Sequence, residues 1–356
     1  MAHLFPAAWR TKFRRQLLAW FRRHARDLPW RRTRDPYAIW VSEIMLQQTQ
    51  VVTVIPYFAR FMEAFPDVTV LAAAPERDVL RLWEGLGYYR RARQMHAAAQ
   101  QIVAEHSGEF PRDFAAVRAL PGIGRYTAGA ILSIAHDDRQ PILEANTVRL
   151  LSRLLAFRGD PTNSAGQARL WQAAEELLPT RKAGELNQAL MELGSQICTP
   201  RDPRCDECPV AQLCPTRARG LQAKIPAAKK QPRYEDVIEA AIVVRRGDRV
   251  LLRRCGADER WAGLWDFPRF PLVASNGNSL SEELVAKTKQ ITLVSIAAGP
   301  RFATLKHGVT RFRITLHCHE ATFVAGSPRP HHRWVRPAEL IDFPLTMTAR
   351  KISRMV

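Results

Sequence analysis

The chain has 356 residues, with 53 lysines and arginines against 34 aspartates and glutamates, for a formal net charge of +19. That length predicts about two domains, each able to bury its own core, and the charge points to a polyanionic partner, although charge alone would also fit a chain that is merely kept dispersed. No run approaches the ~18 consecutive apolar residues of a membrane-spanning helix, so a membrane is not expected among its partners.

Residues 1–26 are rich in arginine and contain no aspartate or glutamate, which can read as an organelle transit peptide. Trp9, Phe13, Leu17, Trp20 and Phe21, however, recur at helical spacing and lead straight into Leu28, Pro29 and Trp30, which predicts a core helix and a cytoplasmic protein. Asp35 and Pro36 form a cap and first-turn pair. They predict a helix running through Glu43, Leu46, Gln47, Gln48 and Thr49 that is apolar on nearly every side. Glu43 therefore falls in a buried helix, where a carboxylate is costly unless paired or protonated. Pairing with a nearby arginine is the ordinary outcome. A desolvated, protonated Glu43 is what a general acid working near neutral pH requires.

Further helices are expected at 51–65 and 75–83, followed by Gly85, Leu86, Gly87, Tyr88, Tyr89, Arg90, Arg91, Ala92 and Arg93. Glycines, paired tyrosines and an arginine cluster suit a loop that wedges an aromatic into a base stack while arginines hold phosphates. Two core tyrosines at a helix start are the plainer alternative. Helices continue at 95–106 and from 114 to the turn Leu120-Pro121-Gly122-Ile123-Gly124-Arg125, which opens the apolar helix of Tyr126 to Ala135. Glycines at such a turn let backbone amides approach an anion at a helix N-terminus, so Gly122, Ile123, Gly124 and Arg125 form a candidate phosphate seat. Glu144 and Asn146 return shortly after it, ahead of helices at 147–156, 167–178 and 186–197.

Cys198, Cys205, Cys208 and Cys214 follow, separated by six, two and five residues. Such crowding in a cytosolic chain indicates a metal site rather than disulfides, and the spacing alone leaves zinc and a four-iron cluster open. Residues 217–235 form a basic, proline-marked connector that includes Lys224, Pro226, Lys229, Lys230, Pro232 and Arg233. Beyond it the hydrophobic period changes to two. A hairpin at 237–252, a strand at 312–319 and a helix at 279–289 predict a second, mixed α and β domain over 236–356.

Leu28-Pro29-Trp30-Arg31, the run from Ser42 to Gln50, residues 85–89, the hairpin at 120–128 and the four cysteines together resemble the MutY-type adenine DNA glycosylases, with the motifs in matching order over essentially the whole chain. The resemblance implies a mostly α catalytic region over 1–216, with the helix-hairpin-helix glycosylase fold and a [4Fe-4S] cluster on Cys198, Cys205, Cys208 and Cys214. It implies a C-terminal α+β MutT-like (Nudix-like) domain that inspects the base opposite adenine. The partner would be double-stranded DNA carrying adenine opposite 8-oxoguanine or guanine, met by a nucleoid-associated monomer.

Carried over by position, Glu43 protonates adenine, and Glu144, with Tyr126 and Asn146 beside it, stabilises the cationic sugar. Arg26, Trp30, Arg31, Leu46 and Gln188 match adenine-pocket positions, and Gln48 and Tyr88 match intercalating ones, with Thr49 and Leu86 as their neighbours at the DNA. Two departures stand out. Glu144-Ala145 occupies the place of the family's usual Asp-Gly, and Val309-Thr310-Arg311 that of the opposite-base reader Phe-Ser-His. Tyr126 stands where strand-cutting relatives carry a Schiff-base lysine, and no lysine occurs from Phe13 through Arg181, which predicts a glycosylase that leaves the strand uncut. The glycine-led box of glutamates needed for MutT-like hydrolysis is missing, so no nucleotide hydrolysis is expected.

Overall fold

The computed structural model describes residues 3–227, 233–256, 258–273 and 277–356; residues 228–232 of the expected connector, with Lys229, Lys230 and Pro232, lie outside the described residues. The chain forms two compact units, one of Met1–Ala74 and Arg90–Lys230, the other of Pro75–Tyr89 and Gln231–Val356.

The helices of the first unit are α1 (Ala7–His24), α2 (Pro36–Leu46), α3 (Val51–Ala64) and α4 (Val68–Ala73) before the excursion into the second unit, where α5 (Glu76–Leu82) lies. After it come α6 (Arg90–His106), α7 (Phe114–Ala119), α8 (Arg125–His136), α9 (Ala145–Leu154), α10 (Ser164–Leu177), α11 (Ala183–Gln196) and the short α12 (Pro215–Ala218). The N-terminal stretch is the core helix its spacing predicts: Phe13, Leu17, Trp20 and Phe21 of α1 pack with Leu150, Leu154, Leu170, Leu186 and Leu193 of α9, α10 and α11. Aspartate caps start several helices. Asp35 Oδ1 accepts from the Tyr37 amide at 3.0 Å and Asp67 Oδ1 from the Thr69 amide at 2.9 Å, each replacing a bond that the first turn lacks.

Helix α2 is buried on every side from Tyr37 to Met45, as its unbroken apolar run predicts. It ends at Leu46 rather than continuing through Thr49, because Gln48 takes a left-handed backbone with φ 56°. The ending is held by Arg91 of α6, whose Nη1 donates to the carbonyls of Ile44 (2.7 Å), Met45 (3.2 Å) and Gln47 (2.5 Å). A guanidinium there answers both the orphan carbonyls and the negative end of the helix dipole.

Among the described residues of the second unit, seven strands form one mixed sheet in the order β3-β2-β1-β6-β5, with β4 paired to β1 and β7 to β2. The strands are β1 (Glu235–Arg246), β2 (Arg249–Arg254), β3 (Trp265–Asp266), β4 (Arg269–Pro271), β5 (Val294–Val309), β6 (Phe312–Gly326) and β7 (His332–Val335). β1 runs parallel to β6, and the other pairings are antiparallel. The two-residue period of β1 sends Ala241 and Val243 to one face, with Leu340, Ala349 and Ile352 near α14 (Met347–Ser353). Ala240, Ile242 and Val244 go to the other, with Leu284 of α13 (Gly277–Thr292). The sequence expectation placed 75–89 in the catalytic region; the structure groups it with the second unit. Arg350 of α14 donates to both oxygens of Glu84, at 2.6 and 2.9 Å, a bidentate pair that ties the excursion down.

Candidate active site and cluster-binding loop

Helices α2, α8, α9 and α11, with the turn Pro29–Arg31, enclose a cavity of about 490 Å³ in the first unit. Its wall brings together all the expected catalytic residues, Glu43, Tyr126, Glu144 and Asn146, and all the expected base-pocket residues, Arg26, Trp30, Arg31, Leu46 and Gln188. Gln48 and Thr49 also line it. A volume of this order is that of an ordinary small-molecule site and is ample for an extruded nucleotide.

Glu43 is 5 % exposed and, among the described residues, is in no ion pair with an arginine. Its partner is the phenol of Tyr126, which donates to Oε2 at 2.6 Å. Burial pushes the Glu43 carboxyl up to about 7; the hydrogen bond from Tyr126 and the charge of Arg31 pull it down, and the charge of Glu144 pushes it further up. The group is therefore an acid poised near neutrality. Burial likewise drives the Tyr126 phenol well above its ordinary value, which keeps it a hydrogen-bond donor.

Glu144 is the N-cap of α9. Its oxygens accept from the amides of Asn146 (2.7 Å) and Thr147 (2.9 Å), and Thr147 Oγ1 returns a bond with the Glu144 amide at 2.7 Å. Burial raises its pKa while these amide bonds oppose the rise. The longer side chain thus reaches back to the helix start and is fixed there as a shorter cap would be. Asn146 continues the connection: its Oδ1 accepts from Arg149 Nη2 at 2.9 Å, and Arg149 also donates to the carbonyls of Gly194 and Cys198, both at 2.7 Å. Gly194 allows that approach, since a Cβ there would meet Asn146 Cβ at 2.8 Å.

Sequence reasoning missed Glu192, which lines the same cavity and has no exposed side-chain surface. Its carboxylate accepts from Arg26 Nε and Nη2, each at 2.8 Å, and from Arg31 Nη2 at 2.9 Å. Burial would raise its pKa, but the two guanidinium groups overcome this and hold it down at about 2. The signal was present: Gln188, Glu192 and Ser195 recur at i, i+4 and i+7 on one face of α11.

At the expected phosphate seat, Gly122 has φ 78° and lies so close to Gln94 that a Cβ would sit 2.9 Å from that side chain's Cβ. Gly124 faces open space and caps α8 with no side-chain bond, so its approach is left clear. The Arg125 guanidinium lies over the Trp171 ring, 3.8 Å from its centroid. In the second unit, Leu86 is buried and Tyr88 is 53 % exposed at a left-handed φ of 46°. Val309, Thr310 and Arg311 form the β5–β6 turn. Thr310 has φ 52° and donates its hydroxyl to the Val309 carbonyl at 2.7 Å, while Arg311 pairs with Glu235 at 3.2 Å.

The four expected ligand cysteines all line one recess in the first unit. Among the described residues, no three His, Cys, Asp or Glu side chains converge on a single metal ion. Four cysteines in one recess are a donor set that suits an iron-sulfur cluster or a zinc ion. Burial pushes the Cys208 thiol up to about 12 against the opposing backbone hydrogen bond at Val210, so a thiolate there calls for the positive charge of a metal. Arg153 braces the loop, donating to Cys198 Sγ at 3.2 Å and to the carbonyls of Thr199 (2.8 Å) and Ile225 (2.9 Å).

Three families match the chain: HhH-GPD superfamily base excision DNA repair proteins over residues 41–176, the iron-sulfur binding domain of endonuclease III over 198–214, and the NUDIX domain over 240–355. Cys198, Cys205, Cys208 and Cys214 are thus the ligand set of a [4Fe-4S] cluster. The adenine DNA glycosylase of Rattus norvegicus is 44 % identical over 254 residues, 68 % of this chain and 49 % of that protein. That of Homo sapiens is 43 % identical, over 67 % of this chain and 46 % of its own. The chain therefore spans about half the length of these mammalian relatives. The adenine DNA glycosylase of Buchnera aphidicola subsp. Schizaphis graminum is 37 % identical, over 72 % of this chain and 75 % of that protein. Among solved structures, a thermostable thymine-DNA glycosylase is 28 % identical with a TM-score of 0.55, over 60 % of this chain and 98 % of its own. A non-covalent endonuclease III–DNA complex shares the fold of the same region, at 19 % identity and a TM-score of 0.53, over 61 % of this chain and 99 % of that one.

Proposed function

The chain belongs to the adenine DNA glycosylase family within the HhH-GPD superfamily of base excision DNA repair proteins, and on that footing we propose that it excises adenine mispaired with 8-oxoguanine or guanine from duplex DNA. The observation that carries the reading is Glu43: a buried carboxyl with a pKa of about 7, held by Tyr126 on the wall of a cavity that can admit a nucleotide. The adenine nucleotide must leave the stack to reach that cavity, at an unstacking cost of a few kcal/mol.

Protonated Glu43 gives its proton to N7 of adenine. The glycosidic bond breaks with its electron pair going to the base, leaving an oxocarbenium-like sugar. The Glu144 carboxylate, fixed by two amides, faces that developing charge. The Glu43 carboxylate then accepts a proton from the attacking water, which regenerates the acid. Tyr126 offers no amine for a Schiff base, so the product is an abasic site in an uncut strand. Cys198, Cys205, Cys208 and Cys214 would hold a [4Fe-4S] cluster, which would cross-link the 198–214 loop that Arg149 joins to Asn146 through the Cys198 carbonyl.

The second unit reads the opposite base. The Thr310 hydroxyl spends its proton on the Val309 carbonyl and keeps its lone pairs for a donor. The N7–H of 8-oxoguanine is such a donor, whereas N7 of guanine only accepts. The test is a panel of duplexes carrying adenine, thymine or uracil opposite 8-oxoguanine or guanine. Adenine release fastest opposite 8-oxoguanine, with no nicking until alkali is added, is expected. Thymine release, or nicking without alkali, contradicts the reading.

A further inference from the structure

One carboxylate that the mechanism does not use sits on the cavity wall. Glu192 of α11 has no exposed side-chain surface, and both its oxygens are occupied: Oε1 by the backbone amide and Nε of Arg26 (3.1 and 2.8 Å), Oε2 by Nη2 of Arg26 (2.8 Å) and Nη2 of Arg31 (2.9 Å). Arg31 also donates to the Arg26 carbonyl at 3.2 Å, which locks the two cations into one unit. We propose that Glu192 is a positioning residue for acid catalysis at Glu43: it draws the charged ends of Arg26 and Arg31 onto the α11 wall, so that both line the cavity without pairing with the acid.

The inference rests on the proposed glycosylase reading. Two guanidinium groups share the cavity with two further carboxylates, Glu43 and Glu144. Glu144 is engaged by the amides of Asn146 and Thr147, whereas the sole hydrogen-bond partner of Glu43 among the described side chains is a neutral phenol. Released from Glu192, an arginine would share the cavity with Glu43 as the one lining carboxyl of the two that no backbone amide holds, and a Glu43 locked in an ion pair has no proton to give. The charged and titratable groups around Glu43 are Tyr126 from α8, Glu144 from the start of α9, Arg31 from the turn Pro29–Arg31 and, at the end of α2, Arg91 from α6. Of these, Arg31 is the cation whose placement Glu192 controls. A carboxylate serving only to fasten α11 to the 26–31 segment would not set the protonation of Glu43.

The experiment is single-turnover adenine release by the full, cluster-loaded chain on a duplex with adenine opposite 8-oxoguanine, from pH 5 to pH 9. Glu192→Gln should move the alkaline limb of the rate profile down by about one pH unit, since an opposite charge brought close shifts a carboxyl by ~1–3 units. Arg31→Gln leaves Glu192 paired with Arg26 and should move the limb up, whatever it does to the maximal rate. It also serves if Glu192→Gln does not fold. Glu192→Asp should leave the limb in place. Rates lowered by the same factor at every pH, with the limb unmoved in Glu192→Gln or in Arg31→Gln, would overturn the inference and leave the glycosylase reading intact. Absence of adenine release by the wild type would overturn that reading itself.

Discussion

The Tyr126 hydroxyl donates to Glu43 Oε2 across 2.6 Å, inside the cavity that both residues line. This bond stabilises the ionised form of Glu43 and so works against the burial that raises its pKa to about 7. Replacing Tyr126 by Phe removes the opposing bond. The alkaline limb of the excision profile should move to higher pH, while Tyr126→Phe still releases adenine. Single-turnover rates across pH 6–9 check it, and a limb that moves down contradicts the assigned direction.

Glu43 should also limit stability. Its folded pKa, about 7, stands above the unfolded carboxyl value of ~4.3. The native state therefore holds this proton more tightly, and the stabilisation is complete below pH ~4.3 and is lost as pH rises through about 7. Glu43→Gln should be more stable than the wild type at pH 8, by up to about 3 kcal/mol. The difference should vanish near pH 4. Denaturant melts at the two pH values test this, and equal stability at pH 8 would count against a desolvated acid.

Glu144 does two separable jobs. Asn is as good an N-cap as a carboxylate, so Glu144→Asn should keep α9 capped, with a stability loss within about 1 kcal/mol. It removes the carboxylate proposed to offset the charge on the sugar, and excision should fall by about 10²-fold or more. A variant with wild-type rates would make Glu144 a cap alone. Glu144→Asp restores the family's usual residue and should keep both properties.

Arg91 closes α2 through three carbonyls, so Arg91→Ala leaves them without a charged donor and should cost about 2–3 kcal/mol of stability. The loss should reach the 47–49 loop first, because Gln48 holds its left-handed φ of 56° only while Gln47 is tethered. Hydrogen exchange at residues 46–50 reads this directly. Protection unchanged from the wild type would show that the loop stands without Arg91.

Much of this site could be read before any coordinate. The unbroken apolar run around Glu43 announced a buried acid, and the hairpin glycines and cysteine spacing announced their turns. The single identity of Glu43's partner did not follow, because Tyr126 lies 83 positions away and only packing brings the two together. The end of α2 was misread for the same reason: Gln47, Gln48 and Thr49 carry no helix breaker, and the stop comes from Arg91 on another helix. Glu192 did not stand out, because the arginines that hold it, Arg26 and Arg31, lie 166 and 161 positions away. The grouping of Pro75–Tyr89 with the second unit likewise rests on pairs far apart in the chain, among them Glu84–Arg350 and Arg81–Asp342.

The most direct measurement is single-turnover release of adenine from a duplex with adenine opposite 8-oxoguanine, comparing the wild type with Glu43→Gln at matched DNA occupancy. Release by the wild type and a slowing of about 10³-fold or more in the variant, with DNA affinity retained, is the result predicted for a general acid. A variant that releases adenine as fast as the wild type would contradict the account at its centre.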